Sequence, residues 1–488
     1  MQNIYFTPIR ALRVLLGGLK GLLTASGASH SIVDSIPLDP RLTSAHFNLD
    51  PITQTYIVCP SCHHHYPYLP GDSPANTDEP FTLQCTNRRA AESAVCGTLL
   101  WIQRDLGGGH SRFIPVRKYM HQGLKSWLGR LLSRKGMEDI LESEPFEPPS
   151  PDAPVDDILR SNLFRELKGP SGEQFFPAPP GEGRLVFSLS VDSFNPFHNK
   201  TAKQTVSSTG IWLVLLNLPQ HLRYLPENMY LAGVIPADKP STEDIYPYLE
   251  LVTQELLDLW IPGVMFSRTG RELHGRLFKA MLIPVVCDML AARQVIGLGS
   301  VTSHNFCTCC DLDIDDINVF DREEWPAKDL THIRHFAHLW RDAESEKRRE
   351  QLFAASGIRW TPLHNLPYWN PILHTVVDPM HALDLNLLQN HCRTLFQIDV
   401  KHPGGDGYTQ VTSHREMRIT SKEHFRSLKK CAEMIEANLP DLREALLDHP
   451  RRVLYTICVD NQILGNGHRV IVGTKWVLAN NILQWVRF

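Results

Sequence analysis

No apolar run in these 488 residues approaches the roughly 20 consecutive apolar residues that span a bilayer, so no membrane helix is expected. The chain also lacks an excess of positive charge. Lys+Arg number 49 and Asp+Glu 53, a formal net charge of −4, so any surface for nucleic acid must be local. There is no internal repeat and no clear secretory signal. The 11 cysteines, several of them clustered, therefore point to a reducing compartment and metal binding over disulfides. Acids are missing from two stretches. Met1 to Ser29 holds Arg10, Arg13 and Lys20 among leucines, which reads as a targeting or amphipathic segment or, more plainly, as a surface helix or leader. Residues 106–137 hold cations and no acid. Hydrophobic residues at 42% and charged residues at 21% are ordinary for a globular protein, and the length allows two to four domains.

Composition shifts divide the chain into five parts. Residues 1–54 are a leader and polar linker. Residues 55–137 form a Cys-rich module followed by a basic segment. Residues 138–182 are acidic and Pro-rich and read as a spacer. Residues 183–310 alternate apolar runs and helical periodicity. Residues 311–488 are charged and mostly helical, and the amphipathic pattern that starts at Thr474 stops at Phe488 without a cap, which suggests a truncated chain.

The 183–310 stretch carries the most information. Arg184 to Asp192, Gly210 to Leu218 and Met229 to Ile235 are three apolar runs. Thr242 to Trp260 then spaces Ile245, Leu249, Val252, Leu256 and Trp260 as one helical face. Ala280 to Asp288 is a fourth apolar run, and a helix start follows it. The first and fourth runs both end in an acid. Asp192 alone reads as a turn residue and Asp288 alone as a helix N-cap. As a pair at equivalent strand ends they suit hard oxygen ligation of Mg²⁺ or Mn²⁺, the arrangement that phosphoryl transfer by two metal ions requires.

Three further clusters stand out. Cys59 and Cys62 in Cys59-Pro-Ser-Cys62, with Cys85 and Cys96, offer four thiolates for a tetrahedral zinc ion, and His63, His64 and His65 are possible substitutes. The bland alternative is four free core cysteines. A second pair, Cys307 and Cys310, can be matched with Asp378 and His381 of an Asp-x-x-His motif as a second zinc site; alternatively His381 simply packs or caps a helix. Arg112, Arg117, Lys118, Lys125, Arg130 and Arg134 surround Trp127, Leu128, Leu131 and Leu132. They read as a basic amphipathic helix that either tracks a phosphate backbone or is a solvated face packed on the next domain.

Together these motifs resemble the transposases of CACTA-type (En/Spm-like) DNA transposons in their fungal form. The resemblance rests on Val191-Asp-Ser-Phe-Asn-Pro-Phe197, Leu216 to Pro236, Val285-Val-Cys-Asp-Met-Leu-Ala-Ala-Arg293, Ser303-His-Asn-Phe-Cys-Thr-Cys-Cys310 and Val377-Asp-Pro-Met-His-Ala-Leu-Asp384. It implies an α/β fold: a ribonuclease-H-like core, a mixed sheet flanked by helices, with a helical insertion and a small zinc-binding module in front. It implies that Asp192 and Asp288 are catalytic acids sharing Mg²⁺ or Mn²⁺, and that Cys307, Cys310, Asp378 and His381 form one site. It implies a homo-oligomer acting in the nucleus on double-stranded DNA, at transposon ends and target. Water would cut the strand, and the freed 3′ hydroxyl would attack target DNA. The family also has a third acid beyond the insertion. Asp384 and Asp460 lack its context, so that acid is expected beyond Phe488, and the chain is expected to be catalytically incomplete. The competing reading is a non-catalytic, zinc-containing DNA-binding protein derived from a transposase. A ribonuclease or other nuclease on the same fold leaves the Cys clusters without a role.

Overall fold

The computed structural model describes residues 9–39, 42, 50–68, 83–143, 157–194, 208–235, 241–396, 400–401, 408–409, 422–437, 441–461, 463 and 475–487. The Pro-rich run near 147–151 and the Asn195 to Phe197 part of the first acid motif lie outside them. The chain divides into two compact units, Met1–Asp378 and Pro379–Phe488. Among the described residues no helix is long and apolar enough to cross a membrane.

The first unit begins with the Cys-rich module. Strands β1 (Thr53–Val58), β2 (His65–Tyr68) and β5 (Lys118–Gln122) make an antiparallel sheet in the order β2-β1-β5. Between β2 and β5 in sequence, β3 (Trp101–Gly107) and β4 (His110–Pro115) form a separate two-stranded ribbon. Helix α1 (Leu124–Leu132) follows. Its Leu124, Trp127, Leu128, Leu131 and Leu132 recur at helical spacing and are all buried in the main core. Val58 and Tyr119 of the small sheet are in that core too, so the module is packed into the first unit.

The large sheet takes β6 (Glu182–Phe194), β7 (Ser208–Leu215), β8 (Met229–Ile235), β9 (Val264–Phe266), β10 (Arg276–Cys287) and β11 (Thr375–Val377). Its order is β11-β10-β6-β7-β8, with β9 beside β10. The meander β6-β7-β8 is antiparallel, whereas β10 runs parallel to β6 and β11 parallel to β10. Helix α2 (Tyr246–Trp260) makes the crossover between β8 and β10, and α3 (Met289–Ile296) leaves the end of β10. Helices α4 (Leu330–Asp342) and α5 (Glu346–Ser356) precede β11. The strand at Thr375–Val377 lies far beyond the Cys310 boundary expected for the sheet, because three residues carry too little periodicity to be read from sequence.

The sheet is covered on both faces, which explains why β6 reads as a continuous apolar run. Leu185, Phe187, Leu189 and Val191 of β6 face one cluster with α1 and α2. The alternate residue Val186 joins Met281, Ile283 and Trp260 in a second cluster with Leu159, Phe164, Leu167 and Phe175. Residues 157–182, expected as a spacer, are therefore the layer that closes this face. Their few apolar side chains sit among prolines and acids, and that composition hid them. Where β7 ends, Asn217 replaces a backbone partner: its side chain accepts from the Val186 amide at 2.8 Å and donates to the Arg184 carbonyl at 3.0 Å.

The basic segment is also arranged differently from the expected single helix. Arg112 lies on β4, Lys118 on β5, and Lys125 and Arg130 on α1. Arg130 donates to the Asp50 carbonyl, and Arg134 donates to Asn228 Oδ1 at 2.7 Å and the Glu227 carbonyl at 2.8 Å. Lys118 lies 4.4 Å over the Tyr68 ring. Alternating residues in 118–122 match a strand as well as a helix, and tertiary pairing with β1 decides.

The second unit has its own core. Helices Lys422–Glu436, Leu442–Leu447, Arg451–Asp460 and Lys475–Arg487 bury Cys431, Leu446, Val453, Leu454, Cys458, Leu478 and Ile482 against one another.

Candidate metal centres

The first centre is built on the turn after β1. The amide of His63 donates to the Cys59 carbonyl at 3.0 Å, and the Cys62 amide points at Cys59 Sγ at 3.5 Å. Cys85 and Cys96 come back through the pairing of Gln84 with Leu99. The result is four sulfurs within 4.8 Å of one another, with Cys59 to Cys96 at 3.7 Å and Cys62 to Cys85 at 3.5 Å. Polar groups converge on them: Asn87 Nδ2 donates to Cys62 and the Tyr66 hydroxyl to Cys85. The hydrogen bond from the Cys62 thiol holds the Cys59 thiol down to about 4. Its partner Cys62 is pushed up by that same interaction and by burial. A cluster that favours thiolate on one sulfur while crowding four together is the donor set Zn²⁺ takes. These four cysteines could hold zinc. The neighbouring histidines are not part of the set. His63 Nδ1 meets the Tyr248 hydroxyl at 3.0 Å, and His65 stacks on Tyr119 with ring centres 5.5 Å apart.

The second cysteine pair has the same local turn. The amides of Cys309 and Cys310 both donate to Cys307 Sγ at 3.4 Å. Burial raises the Cys307 thiol, and these amide bonds together with the hydrogen bond from the Cys310 thiol outweigh it, leaving the thiol lowered. Among the described residues of the first unit, no third ligand atom joins Cys307 and Cys310 within 4.8 Å. Asp378 closes the first unit and His381 belongs to the second.

The acids form the other centre. Asp192 lies on β6, opposite Gly210 of β7, and its Oδ1 accepts from the Ser193 amide at 2.7 Å. Asp288 directly follows β10 and caps α3, accepting from the Leu290 and Ala291 amides at 2.9 and 2.7 Å. Its expected capping role and its place at the strand end are thus compatible. Sequence reasoning assigned Asp378 to the second zinc site and did not place it beside these two acids. Cys287 of β10 pairs in register with Val377 of β11, so the next residues, Asp288 and Asp378, end adjacent parallel strands. The signal was present in the repeated pattern of two valines shortly before an acid, Val285-Val-Cys-Asp288 and Val376-Val-Asp378, but the second run is too short to declare a strand. All three carboxylates act on one group: burial first, then the charges of Asp288, Asp192 and Asp378, push the Cys287 thiol up to about 12. Cys287 is itself buried and accepts from the Val191 amide at 3.2 Å, tying β10 to β6 just before the acids. The three carboxylates are not among the groups whose ligand atoms all lie within 4.8 Å.

Residues 174–358 match a family model described as Transposase family tnp2. The match spans the sheet from β6 to β10, both sequence-predicted acids and the Cys307 and Cys310 pair, and it supports a transposase family for this chain. No curated protein matches.

Proposed function

We propose that this chain is a metal-dependent DNA transposase of the CACTA type, working as a homo-oligomer on double-stranded DNA in the nucleus. The observation that supports this reading is that Asp192, Asp288 and Asp378 lie toward the same end of β6, β10 and β11 in a mixed sheet of order β11-β10-β6-β7-β8, which we read as a ribonuclease-H-like core. Carboxylates drawn together at this end of the sheet would repel one another, and a bound cation would offset that repulsion. Mg²⁺ or Mn²⁺ there would activate water and stabilise the leaving oxygen in strand cleavage. Asp192 and Asp288 would ligate it from β6 and the tip of β10, and Asp378 would take the place of the acid that the sequence did not yield. The Asp288 side chain keeps one oxygen committed to the α3 amides, which fixes the carboxylate's direction. Zn²⁺ on Cys59, Cys62, Cys85 and Cys96 would be structural, since all four positions are filled by protein.

The test is Mn²⁺-dependent nicking of duplex DNA by wild type and by Asp192→Asn, Asp288→Asn and Asp378→Asn, with DNA affinity measured alongside. Loss of cleavage with affinity kept supports the acid site. Cleavage unchanged in all three variants refutes it. A wild type that binds DNA, holds zinc and never cleaves supports the non-catalytic, zinc-containing DNA-binding alternative.

A further inference from the structure

Among the described strands of the first unit, those of the β3–β4 ribbon are the most exposed. Six of the seven residues of β3 are exposed, and only Trp101 at its base is buried. A lone two-stranded hairpin is marginal in water, so a ribbon roughly 20 Å long must be held from one end. Trp101, with Phe113 packed alongside, belongs to the small core around Cys59, Cys62 and Cys85 and supplies that hold. The ribbon's two faces differ. Gln103, Asp105 and Ser111 share one face, where Gln103 donates to Ser111 at 2.6 Å and Asp105 accepts from the Gly107 amide. The other face carries Arg104 directly opposite Arg112, with His110 two residues on toward the tip. Like charges directly opposite each other destabilise an antiparallel pair. Here both arginines are exposed, and among the described residues neither has an ion-pair or hydrogen-bond partner. No acid lies on their face. The tip is Gly107-Gly108-Gly109, each with positive φ, so no side chain holds the turn away from an approaching surface.

We infer that this ribbon enters a groove of duplex DNA, with Arg104 and Arg112 meeting the polyanion that relieves their repulsion. The inference rests on the DNA-processing reading above. The major groove of B-form DNA, about 12 Å wide, admits a two-stranded ribbon, and arginine is the side chain best suited to phosphate and guanine edges. This moves the DNA contact from α1, where Arg130 is bonded within the protein, to the ribbon, and it adds Arg104, whose single cation drew no notice in sequence. The zinc cluster then acts as the footing of a DNA-reading element.

The experiment measures binding of the full chain to a short fluorescent duplex by anisotropy across a range of salt, for wild type, Arg104→Ala/Arg112→Ala and Arg104→Lys/Arg112→Lys. Zinc content serves as the check that the footing is intact. Each arginine on a phosphate contributes roughly 1 to the slope of log affinity against log salt. The alanine pair should therefore lower the slope by about 2, and the lysine pair should restore it. If wild type binds duplex DNA and the alanine pair matches it in affinity and slope, the ribbon inference is overturned and the function stands. If wild type binds no duplex DNA, both fall. Double-stranded RNA competing as well as DNA would also overturn the ribbon assignment, because the deep, narrow A-form major groove does not admit it.

Discussion

Replacing Cys85 by Ser should detach the ribbon and its footing from an otherwise folded unit. Cys85 is 1% exposed and faces Cys62 across 3.5 Å. Beside the cysteines, this small core buries only Ile57, Leu100 and Trp101. At about 1.5–3 kcal/mol each, those side chains supply roughly 5–9 kcal/mol of apolar burial. A structural zinc ion on these thiolates would supply about 10–16 kcal/mol, so the metal would be the larger contribution, and losing a thiolate would act as local unfolding. The loss should stop at β1 and β5, because Val58 and Tyr119 are buried in the main core. The assay is zinc content per chain with peptide-resolved hydrogen exchange. In the variant, the amides of Leu100 and Val116, which bond to the Leu83 and Leu100 carbonyls at 2.9 Å, should exchange freely, while those of β6 and β10 stay protected. A zinc-free variant in which Leu100 and Val116 stay as protected as in wild type would refute the reasoning.

Three other outcomes are expected. Burial holds His65 down to about 3, and His364 and His374 to about 4, whereas an unfolded histidine titrates near 6.5. Below about 6.5 the unfolded state binds more protons, so stability falls with pH by about 1.4 kcal/mol per unit for each histidine until the folded values are reached; a melting temperature that is flat or rising from pH 7 to pH 5 contradicts this. A Cβ on Gly183 would lie 2.2 Å from the Phe278 ring, where β6 and β10 approach. Gly183→Ala should therefore cost about 1–3 kcal/mol, and an unchanged urea midpoint would show that the approach is looser. Asp288→Asn keeps the cap of α3 and Asp288→Ala loses it, so the alanine form should be the less stable by about 1 kcal/mol; equal melting of the two would remove the capping role.

What the sequence determined by itself is the set of elements whose signal is local. The strands at 184–192, 210–218 and 229–235, the helix ending at Trp260 and the strand before Asp288 each carry enough apolar periodicity to be read alone, and each was placed within a few residues. The four clustered cysteines were legible for the same reason: soft ligands at turn spacing have few other uses. Tertiary structure alone decided the rest. Thr375–Val377 is a strand only because β10 offers it a parallel edge, and that pairing is what brings Asp378 level with Asp288. Residues 157–182 form a layer only because the sheet's second face needs cover. The cations of 112–134 are divided between strands and a helix, because β1 and the core, more than charge, choose their conformation. Local pattern fixes which residues want burial, whereas the partner that buries them is a property of the whole chain.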